Sequence, residues 1–271
     1  MHCDLGIING PLLLFGGPYS NLQALEAVLA TARVRTIPEH NMICTGDVVA
    51  YCAGALATAD MLRASGAAVV AGNCEKQLGQ GAQDCGCGFE EGSTCDLLSM
   101  GWYTFARSQL DDTTRKWMRE CPDIISFHHQ GARYAVIHGG VTEIARFIWP
   151  TDPEAVFMQE WQALESAIGP VDHVIAGHCG LAFVKDTSRG RWINPGVIGM
   201  PAHDGSMQTR YGILEQGAVQ LHALEYDVEA AVREMRAAGL TQGYERALRS
   251  GYWPSEDVLP LALRGASLAS G

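Results

Sequence analysis

Four side chains that can bind a metal ion follow four short apolar runs of the chain. Asp47 follows the run at residues 41–44, and Asn73 follows the run at 67–71. His138 follows the run at 134–137, and His178 follows the run at 171–176. Short β-branched runs beside glycine are typical of buried strands. In an open α/β sheet, ligands bind outside the carboxyl ends of the strands. We therefore expect these side chains to meet, and one carboxylate, one amide oxygen and two imidazoles suit a divalent transition metal.

Strands and helices alternate in the first third of the chain. Residues 12–15 predict an apolar strand, and residues 21–32 have a helical period with Ser20 or Asn21 suited to the N-cap. A second helix is predicted over residues 53–65. The spacing of strand, helix and strand predicts a right-handed βαβ unit. Residues 75–101 are rich in glycine and cysteine and predict an inserted loop.

The rest of the chain predicts one domain with a helical extension. Further helices are expected over residues 112–120, 152–168 and 227–238, a strand over 191–193, and a hairpin of 210–214 with 218–226. We expect a domain at residues 1–226 with a cysteine-rich insertion at about 74–100, and a helical appendage at 227–271.

The composition argues against several classes of function. A net charge of −11 does not suit a nucleic-acid groove, because phosphate neutralisation needs clustered lysine and arginine. A small phosphorylated substrate remains compatible, since a bound metal can supply local positive charge. No apolar stretch approaches the roughly 20 residues that span a bilayer. The N-terminal residues also lack the basic region of a signal peptide. We expect a cytoplasmic protein without membrane contact, either alone or as a homo-oligomer.

The nine cysteines are many for a chain with no export signal. Reduced thiols favour metal binding, redox chemistry or plain burial over disulfides. Cys85, Cys87 and Cys95 follow Cys74 closely and could hold a structural zinc ion or an iron–sulfur cluster. Their spacing differs from the usual pair of Cys-x-x-Cys motifs. Two other interpretations therefore stay open: buried thiols in a glycine-rich loop, or a lid with redox-sensitive Cys85 and Cys87.

The order of the motifs resembles the calcineurin-like metallophosphoesterases, especially their small bacterial phosphodiesterase branch. The matching motifs are Thr45-Gly46-Asp47, Gly72-Asn73, His138-Gly139, Gly177-His178 and Asn194-Pro195-Gly196. The resemblance extends over roughly residues 12–251. It implies a two-sheet α/β sandwich with metal ligands at the carboxyl ends of the strands. It also implies hydrolysis of phosphoesters by metal-activated water.

The chain departs from the family at one of the two metal positions. The family motif Asp-x-His-Gly-Asn aligns with residues 17–21, and its Gly-His-x-His motif aligns with residues 177–180. The missing ligands fall at Gly17, Tyr19 and Gly180, and the resemblance assigns all three to the same metal position. The ligands of the other position are all present. The resemblance therefore implies one intact metal position beside a degenerate one.

Two cysteines lie near the degenerate position. Cys74 stands where the family has a histidine that assists the leaving group, and Cys179 follows the ligand His178. Because a thiolate is a strong soft ligand, the lost position is predicted to be rebuilt with sulfur from Cys74 and Cys179. Zinc or iron would suit such a mixed site.

Three residues are candidates for catalytic roles. Cys74 and Tyr19 could assist the leaving group, and the resemblance places the loop that contains His203 near the substrate. Tyr19 could donate a hydrogen bond to a phosphoryl oxygen, but a half-buried aromatic residue would have the same sequence pattern. Both interpretations of Tyr19 stay open.

Two functions follow from these residues. The first is a phosphoesterase acting on mono- or diesters with one or two ions of zinc, iron or manganese, where the metal activates water and polarises a phosphoryl oxygen. The second is a non-hydrolytic metal-binding or redox-sensing protein on the same fold, which the lost ligands and gained cysteines favour. The chain has neither a Cys-x5-Arg loop nor a Gly-x-Ser-x-Gly motif, which argues against a cysteine phosphatase and a serine hydrolase.

Overall fold

The computed structural model describes residues 1–87, 90 and 92–265, which form two mixed sheets and eight α-helices. The strands are β1 (His2–Ile7), β2 (Leu12–Phe15), β3 (Met42–Cys44), β4 (Ala68–Val69), β5 (Ile124–His129), β6 (Ala132–Val136), β7 (His173–Ile175), β8 (Ala182–Asp186), β9 (Arg191–Pro195), β10 (Thr209–Glu215) and β11 (Ala218–Leu224). The α-helices are α1 (Leu22–Val34), α2 (Ala55–Ala64), α3 (Asn73–Gln80), α4 (Thr94–Gln109), α5 (Asp112–Glu120), α6 (Glu154–Ile168), α7 (Val228–Ala237) and α8 (Tyr244–Ser250). Short 3₁₀ turns occur at Glu39–Asn41 and Leu261–Leu263.

The two sheets pack face to face. One has the strand order β1-β5-β6-β7-β9-β8, and the other has the order β11-β10-β2-β3-β4. Their shared core takes buried side chains from both sheets, among them Leu12, Leu14, Ile43, Phe127, Val136 and Ile175. Helices cover the outer faces, with α6 against the six-stranded sheet and α1, α2, α4 and α7 on the side of the five-stranded sheet. The expected two-sheet α/β sandwich is confirmed.

Strand β2 shows why the centre of the sandwich is apolar on both sides. Leu12 and Leu14 point into the core between the sheets, whereas Leu13 and Phe15 point into the core under the helices. This alternation is the two-residue period of a strand. Burying each of these side chains contributes about 1.5–3 kcal/mol of transfer free energy.

The strands that precede the candidate ligands run parallel to a neighbour. In the five-stranded sheet β2, β3 and β4 are parallel, and in the six-stranded sheet β6 is parallel to β7. The predicted strands at residues 41–44, 67–71, 134–137 and 171–176 correspond to β3, β4, β6 and β7, with ends that differ by one or two residues. The predicted βαβ unit is confirmed as β2, α1 and β3.

The predicted loop over residues 75–101 is wrong. Helix α3 occupies its beginning and α4 its end. The first turn of α3 is closed by the Glu75 carboxylate, which accepts the backbone N–H of Gly72 over 2.8 Å. Helix α4 is capped by Ser93, whose hydroxyl accepts the N–H of Asp96 over 3.2 Å. The glycine and cysteine content hid two ordinary capping patterns.

The C-terminal segment packs on the rest of the chain. Helix α7 lies against α1, and Gln23 Nε2 donates to Glu234 Oε1 over 2.8 Å. Buried side chains of α7 and α8 belong to the same core as α1. The boundary between residues 226 and 227 stays a prediction. Residues 88, 89 and 91 of the predicted insertion, and residues 266–271 of the predicted appendage, lie outside the described residues. Within the described part of the chain, no helix is long and apolar enough to cross a membrane.

Candidate metal centre and the adjoining cavity

Asp47, Asn73, His138 and His178 meet where β3, β4, β6 and β7 end. The Nε2 atom of His138 lies 3.1 Å from Asn73 Oδ1 and 3.0 Å from His178 Nδ1. The same nitrogen lies 3.3 Å from Asp47 Oδ2, which is 4.0 Å from His178 Nδ1. All four side chains are buried. The structure thus brings together the four ligands that the strand ends predict, from both sheets.

Hydrogen bonds behind these side chains determine which atoms face the centre. The Nδ1–H of His138 donates to the Thr45 carbonyl over 2.6 Å, so the lone pair of the neutral ring is on Nε2. The amide nitrogen of Asn73 donates to a backbone carbonyl over 3.0 Å, which turns Oδ1 inward. Oδ1 of Asp47 accepts the backbone N–H of Cys74 over 3.2 Å, which leaves Oδ2 for the centre.

Asp47 Oδ2, Asn73 Oδ1, His138 Nε2 and His178 Nδ1 therefore lie close together in a buried space. Burying hydrogen-bond acceptors that have no donor costs free energy. A proton or a metal ion between the acceptors removes this cost. Asp47, His138 and His178 hold ligand atoms within 4.8 Å of one another, and no other such group of histidine, cysteine and acidic side chains is found in the described part of the chain. Oxygen and imidazole ligands fit a divalent transition metal such as zinc, iron or manganese.

Asp47, His138 and His178 shift one another's pKa values. Burial would raise the pKa of Asp47, but the neighbouring imidazoles, His138 first, lower it to about 2. Burial would lower the pKa of His138, but Asp47 raises it above the ordinary value. Burial and His138 lower the pKa of His178 to about 3, so this ring stays neutral. Because ligands must be deprotonated, a metal would replace the proton on His138 Nε2.

Glu75 supports the centre from behind, although it is not one of the residues that strand ends predict. Its carboxylate is fully buried and accepts the backbone N–H groups of Asp47 over 2.8 Å and Val48 over 2.9 Å, in addition to that of Gly72. It thereby ties the turn after β3 to the start of α3. Burial and the charge of Asp47 raise the pKa of Glu75. The signal that could have found it is its position at the third residue of a helix, where a carboxylate reaches back to the cap.

Two of the ligands sit on strained backbone. Asp47 has a φ of 56° and His178 a φ of 58°, both in the left-handed region. Such conformations in non-glycine residues cluster at functional sites, where the surrounding structure enforces them. Gly72 is needed next to this turn, because a Cβ there would collide with Asp47 Oδ1.

Cys74 and Cys179 are close to the centre, and both side chains are engaged in hydrogen bonds. The thiol of Cys74 donates to Asp47, and burial with the charges of Asp47 and Glu75 raises its pKa well above the ordinary value. Cys179 Sγ accepts Asn194 Nδ2–H over 3.2 Å, and burial raises its pKa to about 12. The predicted sulfur-containing second site is not confirmed.

Cys85 and Cys87 form a disulfide. In this form neither sulfur is a free thiolate, so the predicted structural metal site at Cys85, Cys87 and Cys95 is not confirmed. Cys87 Sγ lies 3.5 Å from Asn73 Nδ2, so the disulfide adjoins the metal centre. Cys95 is a buried free cysteine.

Aromatic rings lie beside two of the glycines that the family resemblance aligns with lost metal ligands. A Cβ at Gly17 would lie 2.5 Å from Cζ of Tyr19, and a Cβ at Gly180 would lie 3.2 Å from Cζ2 of Trp253. The family's carboxylate and second histidine would therefore run into these two rings. An aromatic ring therefore lies next to each of these two glycines.

A cavity opens beside the centre, with about 670 Å³ of empty space including its mouth. Asp47 and His178 line it, so a molecule in the cavity would touch the metal centre. Its aromatic lining consists of Tyr19, Tyr51, Phe147, Tyr244 and Trp253. We call this space the aromatic cavity. Sequence periodicity did not indicate it, because its rings come from distant segments.

His203 lies behind the aromatic cavity rather than among the residues that line it. Its Nε2 is 2.7 Å from Glu256 Oε1, and its Nδ1 accepts the backbone N–H of Trp253 over 2.9 Å. Both ring nitrogens are therefore engaged, and the ring holds a cavity residue in place. The catalytic role of His203 stays a prediction.

Solved structures with this architecture include two with high coverage. A metallophosphoesterase from Sphaerobacter thermophilus superimposes with a TM-score of 0.68 at 20% identity, covering 90% of this chain and 100% of its own. The hypothetical protein PH1004 from Pyrococcus horikoshii OT3 gives a TM-score of 0.72 at 15% identity, covering 89% of this chain and 98% of its own. At such identities the likeness establishes the fold, which is that of a metallophosphoesterase. No protein-family model and no curated protein matches the chain.

Proposed function

We propose that this protein hydrolyses phosphoesters with one divalent transition metal ion held by Asp47, Asn73, His138 and His178. The observation that carries the proposal is the meeting of four inward-facing lone-pair atoms in a buried space. When bound, zinc, iron or manganese would supply Lewis-acid polarisation of a phosphoryl oxygen and a lowered pKa for water. The strained turns and the carboxylate of Glu75 would hold the ligands in this arrangement before the ion arrives.

Tyr19 and Cys74 are proposed to contact the ester. Tyr19 lines the aromatic cavity, and burial with the charge of Asp47 raises its pKa well above the ordinary value. Its hydroxyl therefore stays a proton donor at neutral pH and can donate a hydrogen bond to a phosphoryl oxygen. The thiol of Cys74 is also kept protonated, which suits assistance to the leaving group better than metal ligation.

One ion per chain, rather than two, is the number that the surroundings favour. The rings of Tyr19 and Trp253 lie beside Gly17 and Gly180, and Cys179 accepts a hydrogen bond from Asn194. Sites with two metals stabilise both the attacking and the leaving oxygen. A single ion leaves part of that work to side chains such as Tyr19, so we propose slower turnover than in a two-metal enzyme.

Metal content and hydrolysis test the proposal together. Elemental analysis of manganese-loaded protein is expected to give one ion per chain, with turnover of bis(4-nitrophenyl) phosphate or 4-nitrophenyl phosphate. His138→Ala is expected to lose both the ion and the turnover. His40→Ala is the matched control, since this histidine is exposed, and it is expected to keep both. Full metal occupancy without turnover of either ester would overturn the proposal.

A redox-sensing function is the second candidate, because the Cys85–Cys87 disulfide contacts a metal ligand. Asn73 Nδ2 donates to the Cys85 carbonyl over 3.0 Å and lies 3.5 Å from Cys87 Sγ. In the cytoplasm that the sequence predicts, disulfides are usually transient or redox-sensing. Reduction by a dithiol would give two thiols and alter the support of Asn73. The test compares metal affinity before and after dithiothreitol, with Cys85→Ser/Cys87→Ser as a redox-insensitive control; three equal affinities would exclude a sensor.

A further inference from the structure

The lining of the aromatic cavity has an unusual composition for a site that handles phosphate. Its five rings are joined by apolar side chains such as Val197, Met200 and Val258. No lysine or arginine is among the described residues that line it. Sites that hold polyphosphates present arginine, lysine or several metal ions to the charge. This cavity offers apolar contact instead.

Three of the rings, those of Tyr19, Tyr51 and Tyr244, form a connected set. Tyr51 stacks on Tyr244 with centroids 4.4 Å apart and meets Tyr19 edge to face at 4.7 Å. Phe147 lies 4.4 Å from the ring of the ligand His178. Offset-stacked and edge-to-face pairs are the favoured geometries of aromatic contacts. A further planar ring placed among them would meet both ring faces and ring edges.

Trp253 is fixed before any ligand binds. Its backbone N–H donates to His203 Nδ1 over 2.9 Å, and its indole Nε1–H donates to the Pro201 carbonyl over 2.8 Å. His203 is in turn paired with Glu256. A ring held in this way loses little conformational entropy on binding, which favours affinity.

The charge around the centre limits the charge of the ligand. A divalent ion with the single carboxylate of Asp47 leaves about one positive charge next to the cavity, and the buried Glu75 lowers it further. Among ionised phosphoesters, a monoanionic phosphodiester adds the least negative charge to this site. A dianionic monoester or a polyphosphate would bring negative charge that no lining side chain neutralises.

We propose that the aromatic cavity binds a planar aromatic group of a monoanionic phosphodiester whose phosphate lies at the metal centre. The inference rests on the proposed function for the position of the phosphate. It adds the class of substrate: a diester with an aryl group or a base, rather than an aliphatic ester or a polyphosphate.

Equilibrium binding of three diesters to manganese-loaded protein tests this inference without relying on turnover. Diphenyl, dibutyl and dimethyl phosphate carry the same charge and differ in what they place in the cavity. Calorimetric titration is expected to show diphenyl phosphate binding about tenfold or more tightly than dimethyl phosphate, because a ring is buried among rings. Diphenyl phosphate is also expected to bind more tightly than dibutyl phosphate and to change the tryptophan fluorescence.

Trp253→Leu is expected to remove most of the preference for diphenyl phosphate over dimethyl phosphate. Trp117→Leu is the matched control, because this half-buried tryptophan of α5 does not line the cavity, and it is expected to keep the preference. Equal affinities for the three diesters, or equal affinities for diphenyl and dibutyl phosphate, would overturn the inference even if Trp253→Leu did not fold.

The two proposals fail in different ways. Turnover of bis(4-nitrophenyl) phosphate without any preference for diphenyl phosphate would overturn the aromatic site and leave the phosphoesterase standing. A clear preference for diphenyl phosphate with no turnover would support the aromatic site and overturn the phosphoesterase.

Discussion

Two neighbouring positions at the ends of the strands are filled with opposite chemistry. At the first, oxygens of Asp47 and Asn73 meet nitrogens of His138 and His178. At the second, where the family resemblance expects another metal, the rings of Tyr19 and Trp253 lie beside Gly17 and Gly180. Both positions are built on glycine-rich turns after strands.

The comparison shows what a buried polar cluster needs in order to persist. A carboxylate and two imidazoles lose their hydration when they are buried. This desolvation cost is offset only when each group has a hydrogen-bond or ionic partner. The hydrogen bonds of His138, Asn73 and Asp47 satisfy their outer atoms and leave the inner ones for a cation. The second position has no such inner atoms, so it is stable without an ion.

The largest expected effect comes from removing a ligand of the polar position. Asp47→Ala is expected to weaken metal affinity by more than about 100-fold, since even residues behind the ligands are worth 10- to 100-fold. The measurement is a metal titration with elemental analysis of the isolated protein. The contrasting variant is Cys74→Ala/Cys179→Ala, which is expected to keep one ion per chain. A fall in ion content in the double cysteine variant would show that sulfur does hold metal at the second position.

The next effect is expected from Glu75, which supports the turn without touching the centre. In Glu75→Gln an amide NH2 would face backbone N–H groups that now donate to the carboxylate. We expect metal affinity to fall by about 10- to 100-fold. Glu26→Gln, at an exposed position of α1, is expected to change nothing. If Glu75→Gln bound metal as the wild type does, the turn would be held by other contacts.

The pH dependence of metal binding is a smaller effect with a defined sign. Asp47 raises the pKa of His138 against the effect of burial, so the metal-free protein holds a proton on Nε2 below that pKa. A metal must displace this proton. Affinity is therefore expected to fall by about tenfold per pH unit as the pH drops below the raised pKa, and to level off above it. Titrations in buffers of different ionisation enthalpy should show one proton released per ion, and a flat profile would contradict the assignment.

The polar position could be predicted from the sequence because a local pattern marks each of its residues. Asp47, Asn73, His138 and His178 each follow an apolar run at a turn. Parallel strands bring such ends to one edge within each sheet, and the packing of the two sheets brings the two pairs together. The two-sheet fold itself was implied by the family resemblance. The helical start of residues 75–101 was also local, since Glu75 has the position of a capping residue, but glycine and cysteine content obscured it.

The aromatic cavity could not be predicted, because no local sequence pattern marks the residues that line it. Tyr51, Phe147, Tyr244 and Trp253 lie in four separate segments, and none stands in a pattern that distinguishes a cavity wall from a core. A lost ligand indicates only that a metal position has changed. Whether sulfur, water or a ring replaces the ligand depends on packing between distant segments.

The smallest effect tests how tightly the Trp253 ring packs beside Gly180. Gly180→Ala should destabilise the protein for two reasons. Residue 180 has a φ of +76°, which alanine rarely adopts, and the new Cβ would lie 3.2 Å from the Trp253 ring. Gly217→Ala is the matched control, with a φ of +74° and nothing within 4 Å of the new Cβ. In urea unfolding, Gly180→Ala is expected to lose about 0.5–1 kcal/mol more than Gly217→Ala, and the excess should vanish in a Trp253→Ala background. An excess that survives Trp253→Ala would mean that the ring does not close the second position, and the contrast between the two positions would then rest on the missing ligands alone.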